Sequence, residues 1–333
     1  MTIQSDEMIH LTFEKFFQKY TIFNHIPPVA IAVSGGPDSM SLLQAMSKTY
    51  LGNIFILCVN HGLRKSVQSE IDKIEKWVKS QNNNNLSFHV LNWQGDKPNS
   101  AIMEAARFAR YDLLAQFCEE NNVIDLFVGH HQDDQAETFL MRLINGSGID
   151  GLAAIQEKQP YKNITIYRPF LSHSKQDLIQ YCDRNEIPYS LDPSNENNKY
   201  LRPRLRQCME ILEGEGLTSK RLANTAKRMA RGRKALETMT LQAINETLVE
   251  ELPNKVTLEF KNLKKYPEEI GFRVLKNYIE NFRPTETYHV RMEKLEDLFE
   301  SLWLKPNEFK PRTLGGCKIS ITKNSEILLI EKE

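Results

Sequence analysis

Apolar residues gather in short runs through the first half of the chain and recur at helical spacing through the second. The runs at 29–33, 54–59, 86–91 and 124–129 read as strands. Between them, stretches at about 40–49, 67–80, 102–120 and 134–145 carry the i, i+3, i+4 spacing of helices. Short strands alternating with helices predict βαβ units and a mostly parallel sheet covered on both faces. A further helix is expected at 174–186, stopping before Pro188. From about 205 the pattern turns helical, with a long helix at 217–248 and weaker ones near 262–281 and 288–303. The tail from Leu314 to Ile330 reads as a short terminal β-hairpin. The expected organisation is a Rossmann-like α/β domain over 1–215 and a mainly helical domain with that hairpin over 216–333.

The polar breaks that follow the strands carry the chemistry. Parallel sheets bind ligands beyond the carboxyl ends of their strands. There the chain reads Ser34-Gly35-Gly36-Pro37-Asp38-Ser39, then Asn60-His61-Gly62-Leu63-Arg64, then a run from Gly129 to Thr138. Strand, glycine turn and helix N-terminus together make a phosphate cradle: glycines admit close approach, and the first helical N–H groups lack partners. Ser34 and Ser39 add hydroxyl donors; Asp38 or Ser39 is also a suitable N-cap. The loop lacks the lysine of common NTPase loops and the third glycine of a dinucleotide fingerprint.

In the third break, Asp134 and Glu137 are three residues apart and share a helical face beside His130. Arg107, Arg110 and Tyr111 cluster on the helix before it, and guanidiniums suit phosphate. A solvated basic stripe is the plainer reading of that cluster.

Composition narrows the class. Hydrophobic content of 41% and charged content of 26% are those of an ordinary globular protein, and the formal net charge is zero. Neutrality argues against a basic surface overall, yet residues 199–234 hold eleven basic and three acidic side chains, a local +8 that suits a nucleic-acid backbone. The five cysteines form no Cys-x-x-Cys, against zinc ribbons and clustered iron–sulfur sites. No signal pattern or membrane-length apolar run is present, so a cytoplasmic protein with no membrane partner is expected.

The Ser34–Ser39 run resembles the SGGxDS loop of the PP-loop ATP pyrophosphatases. The resemblance narrows when the other motifs are taken in order: Asn60–Arg64, Glu104–Tyr111, Gly129–Thr138, Gly146–Leu152, Arg168-Pro169 and Asp192–Asn195. Together they are similar to the tRNA(Ile)-lysidine synthetase family over about 29–206. That resemblance implies an enzyme, a carbon–nitrogen ligase, with ATP and Mg²⁺ as cofactors. It activates C2 of the first anticodon cytidine in tRNA(Ile) with a CAU anticodon, and L-lysine then displaces AMP.

It further implies that Ser34, Gly35, Gly36, Pro37, Asp38, Ser39 and His61 hold ATP, with Asp38 toward Mg²⁺. His130, Asp134, Glu137, Arg107 and Arg110 then line the reacting centre. Arg202, Arg204, Arg206, Lys227, Arg228 and Arg231 are the candidates for tRNA phosphates. Pro203 departs from the family pattern near these arginines. A homodimer is left open. The rivals are a cytidine thiolase, which the missing cysteine pair disfavours, an amidotransferase-linked synthetase, and a non-catalytic RNA-binding module.

Overall fold

The structure is a computed structural model and describes residues 5–19, 26–62, 67–95, 97–98, 102–191, 201–282, 290–322 and 324–332. Leu63 and Arg64 of the second motif, and the whole Asp192–Asn195 motif, lie outside the described residues. The chain divides into two units, residues 1–230 and 231–333.

The first unit is built on a six-stranded sheet. Its strands are β1 (Val29–Ala32), β2 (Ile54–Asn60), β3 (Leu86–Asn92), β4 (Asp125–Phe127), β5 (Lys158–Tyr161) and β6 (Ile164–Tyr167). Their order is β3-β2-β1-β4-β6-β5, parallel throughout except the β5–β6 pair. The direction of crossing reverses between β1 and β4, so the crevice of such a sheet opens there. Its helices are α1 (Ser5–Lys19), α2 (Pro37–Thr49), α3 (Val67–Ser80), α4 (Ile102–Glu120), α5 (Gln132–Ile144), α6 (Ile149–Leu152), α7 (Lys175–Arg184) and α8 (Leu201–Gly214).

Side chains of β1 alternate between two cores. Val29 and Ile31 join Phe13, Met40 and Tyr181 on one face, while Ala30 joins Leu57, Leu114 and Ile166 on the other. Burial on both faces is why these strands read as continuous apolar runs. A smaller core joins Phe139 and Leu140 of α5 to Leu205 and Met209 of α8 and to Leu222 and Ala226 of α9 (Ser219–Thr247). The sequence places the domain change at 215–216; this third core carries the first unit on to Ala230, inside α9.

The second unit holds the rest of α9, β7 (Leu248–Leu252), β8 (Lys255–Glu259), α10 (Phe260–Leu263), α11 (Glu268–Phe282), α12 (Met292–Leu304), β9 (Arg312–Leu314), β10 (Cys317–Ile321) and β11 (Ile327–Lys332). The expected hairpin is β10–β11, with Ile319 opposite Ile330. It is part of an antiparallel five-stranded sheet ordered β7-β8-β11-β10-β9, against which α11 and α12 pack Ile270, Val274, Leu298 and Trp303. Among the described residues, no helix is long and apolar enough to cross a membrane.

Candidate active site

Three helix N-termini meet at the carboxyl ends of β1, β4 and β6. The first belongs to α2. Gly36 is its N-cap, Pro37 occupies the first turn, and no side chain caps it. Gly35 takes φ +85°, a conformation that L side chains rarely adopt. Ser39 braces the turn from within: its Oγ accepts from Ser34 N–H at 3.1 Å and donates to Gly36 C=O at 3.1 Å. The expected hydroxyl donor of Ser39 is therefore committed to the loop, and neither Asp38 nor Ser39 caps the helix. The Asp38 side chain keeps Oδ1 buried with no hydrogen-bond partner. Burial pushes its carboxyl upward, while the charges of His131 and Lys175 pull it back.

The second N-terminus, that of α5, is fully capped. His131 is the N-cap, and its Nδ1 accepts from Asp133 N–H at 3.2 Å. Asp134 Oδ2 accepts in return from His131 N–H at 3.1 Å, a capping box. Because Nδ1 is the acceptor, the proton of the neutral ring sits on Nε2, 3.7 Å from Asp38 Oδ2 and 3.5 Å from Asp134 Oδ2. Burial disfavours charge on His131, yet Asp133, Asp134 and Asp38 prevail and raise its pKa. The same contacts hold Asp133 down to about 2 and Asp134 below the usual range, against the effect of burial. Gly129, just before this turn, lies so close to α2 that an added Cβ would stand 2.8 Å from the Asp38 carbonyl oxygen.

The third N-terminus, that of α7, is capped by Ser174 with Asp177. Its first residue, Lys175, donates its backbone N–H to Asp133 Oδ2 at 2.8 Å, and Gln132 N–H reaches His173 C=O at 2.8 Å. Lys175 thus supplies positive charge near Asp38 that the glycine loop itself lacks. The Ser-x-x-Asp spacing at 174–177 was its legible signal, since it sets Lys175 at the start of a helix.

His130 has other neighbours. Arg168 Nε donates to its Nδ1 at 3.3 Å. Burial, with the guanidiniums of Arg168, Arg110 and Arg107, drives its pKa down to about 3 despite Asp134. Arg107 and Arg110 stand over the Tyr111 ring at 5.4 and 5.1 Å.

The remaining candidates fall in three places. Glu137 is buried on α5, where its Oε1 accepts from Arg206 Nε at 2.5 Å, and Arg202 Nε lies 3.9 Å from Oε2. Two of the arginines expected at tRNA phosphates, Arg202 and Arg206, therefore lie against Glu137 while keeping about 40% of their side chains exposed, and Arg204 is exposed. Pro203 sits in the first turn of α8, where a backbone donor has no helical partner to lose. His61 directly follows β2, edge-on to Trp93 with ring centroids 6.0 Å apart. Lys227, Arg228 and Arg231 are exposed along α9, whereas Arg233 pairs with Glu237 at 3.2 Å.

The site suits ATP with a divalent cation. The uncapped α2 N-terminus beside two glycines is a cradle for phosphate, and the orphaned Asp38 Oδ1 is an oxygen ligand in waiting. Among the described residues, no three His, Cys, Asp or Glu side chains form a metal cage, so phosphate oxygens would complete the shell of such an ion. Burial lifts the thiols of Cys58, Cys118 and Cys182 to about 11, 12 and 11, so these three are poor nucleophiles.

Residues 6–212 match the PP-loop domain family. A tRNA(Ile)-lysidine synthase of Wolbachia pipientis wMel is 35% identical over 329 residues, covering 98% of this chain and 74% of that protein. Another, from Methylobacterium nodulans, is 34% identical over 302 residues, covering 89% of this chain and 88% of its own. A solved structure of the U34-tRNA thiolase NcsA from Methanococcus maripaludis aligns with a TM-score of 0.58 over 68% of this chain and 79% of its own. At 18% identity that likeness is one of fold. Matched through its loop-bearing unit and along nearly its whole length, the chain belongs to the tRNA(Ile)-lysidine synthase family of PP-loop proteins.

Proposed function

We propose that the protein joins L-lysine to C2 of the cytidine at the first anticodon position of tRNA(Ile) with a CAU anticodon, which changes decoding from AUG to AUA. Family membership makes it an ATP-using ligase; the assignment of steps to residues is our reading. In the first step O2 of the cytidine attacks the α-phosphorus of ATP, an O–P bond forms, and pyrophosphate leaves. In the second the lysine ε-amine attacks C2, a C–N bond forms, the C2–O bond breaks, and AMP leaves.

The turn from Ser34 to Ser39 takes the phosphates, with Lys175, Arg107 and Arg110 adding positive charge around them. Asp38 holds Mg²⁺, which when bound supplies Lewis-acid neutralisation of phosphate charge. Asp134, kept ionised by His131, binds the lysine ammonium and accepts a proton from it as the amine attacks. Glu137 offers Oε2 as a second acceptor, its other oxygen being held by Arg206. Arg204, Lys227, Arg228 and Arg231 meet tRNA phosphates, and residues from 216 onward form the tRNA-binding part.

The observation that carries this reading is His131 between Asp38 and Asp134: a phosphate cradle and an ammonium acceptor lie one imidazole apart. The test is AMP and pyrophosphate release with tRNA, with and without lysine. AMP should appear only when both substrates are present. Lysine-independent AMP release would count against the proposal.

A further inference from the structure

We propose that Arg168 is a positioning residue for His130, fixing the ring so that Nδ1 accepts and the proton stays on Nε2 as a hydrogen-bond donor at the nucleotide site. The proposal rests on the reading that His130 lines that site.

Arg168 follows β6 and is only 3% exposed. Each arm of its fork is occupied: Nε by His130 Nδ1 at 3.3 Å, Nη1 by Gln156 C=O at 2.8 Å, and Nη2 by Gln159 Oε1 at 3.1 Å. Its own backbone N–H is tied to Glu157 C=O at 2.9 Å. A guanidinium has donors only, so the nitrogen it meets must accept. The neutral imidazole then has one place for its proton, Nε2. Charging the ring would set an N–H against an N–H, beside two further guanidiniums from α4. His130 is thereby excluded as a cation and as a base through Nδ1. What remains is a neutral donor suited to an anionic oxygen that gains charge during the reaction. His131, its neighbour, reaches the same tautomer through a backbone N–H, so the two rings are set independently.

The experiment uses the full chain labelled with ¹⁵N-histidine, whose two-bond ¹H–¹⁵N spectrum separates bare from protonated ring nitrogens. Signals of His130 among the eight histidines are identified by their loss in His130→Asn. The wild type should show a bare Nδ1 and a protonated Nε2. In Arg168→Met that preference should average or reverse, and kcat for AMP release should fall about 10- to 100-fold while KM for ATP changes little. Arg168→Leu, which likewise carries no donor, serves if the methionine variant does not fold; it should also lose the preference.

A wild-type spectrum with the proton on Nδ1, or an unchanged tautomer in the folded variants, overturns the proposal. So does an Arg168→Met loss that is equally large in the His130→Asn background. If His130→Asn turns over normally, the placement of His130 in the site is what fails, and that outcome is visible separately from the spectrum.

Discussion

Arg206 donates from Nε to Oε1 of Glu137 at 2.5 Å, tying α8 to α5 one turn beyond Asp134. The carboxylate is buried, while the Arg206 side chain is 41% exposed. Removing Arg206 leaves the buried Glu137 carboxyl with only Arg202 near it. Arg206→Met should therefore cost about 1–2 kcal/mol, below the cost of breaking a fully buried pair because solvent screens one partner. Adding Glu137→Gln should recover part of that loss, and urea denaturation of the two single variants and the double variant measures the coupling.

Gly129→Ala should damage nucleotide binding more than folding. Its Cβ would press on the Asp38 carbonyl from 2.8 Å and on its carbon from 2.9 Å, both backbone atoms that cannot swing aside. We expect KM for ATP to rise about 10- to 100-fold, with a stability loss of about 1–3 kcal/mol. Steady-state kinetics beside thermal unfolding separate the two.

His130 makes stability fall with acid. Its folded pKa of about 3 lies below its ordinary value of 6.5, so between those limits the unfolded chain binds more protons. Stability is full above pH 6.5 and declines as pH falls toward 3, with a slope of at most ~1.4 kcal/mol per pH unit from this group. His130→Asn should flatten that limb. Asp133 acts lower: its depressed pKa of about 2 stabilises the fold above the ordinary 3.8, and that contribution disappears between 3.8 and 2. Chemical denaturation at stepped pH resolves both, and a His130→Asn curve parallel to wild type would contradict the assignment.

A chain ended at 230 should fold, and one ended at 215 should melt earlier. The shorter chain lacks Leu222 and Ala226, 3% and 0% exposed in the core shared with α5 and α8. Their loss is worth about 2–4 kcal/mol. Calorimetry on the two chains checks this, and neither should modify tRNA.

Lys227→Ala with Arg231→Ala should flatten the salt dependence of tRNA binding by up to about two units in log K against log salt. The two side chains are four residues apart on one exposed face of α9. ATP affinity should not move. A slope identical to wild type would leave this face merely solvated.

The sequence made the phosphate turn and the Gly129–Thr138 run legible because each is local: strand, turn and helix start lie within ten residues. Arg168 and Lys175 were harder to see as partners of His130 and Asp38. They arrive with β6 and α7, and only the sheet order β1-β4-β6 sets them there. The tail reads as a hairpin because β10 and β11 are half-buried with regular apolar residues. The strands β7 and β9 are mostly exposed edge strands with no such signal. The pairing of Arg206 with Glu137 was hidden for a different reason. A basic run looks alike whether it faces phosphate or a carboxylate on a neighbouring helix.

The meeting of α2, α5 and α7 at their N-termini also bears on how the folded state is populated. Three partial positive ends are held together: two are closed by capping boxes, while the third has Asp38 in its first turn but a bare, uncapped set of N–H groups. The bare end keeps a small electrostatic debt in the free protein, which any bound anion discharges. Occupancy and folding are then a single linked equilibrium, in which pyrophosphate, the product of the proposed first step, should also act as a ligand and raise the melting temperature.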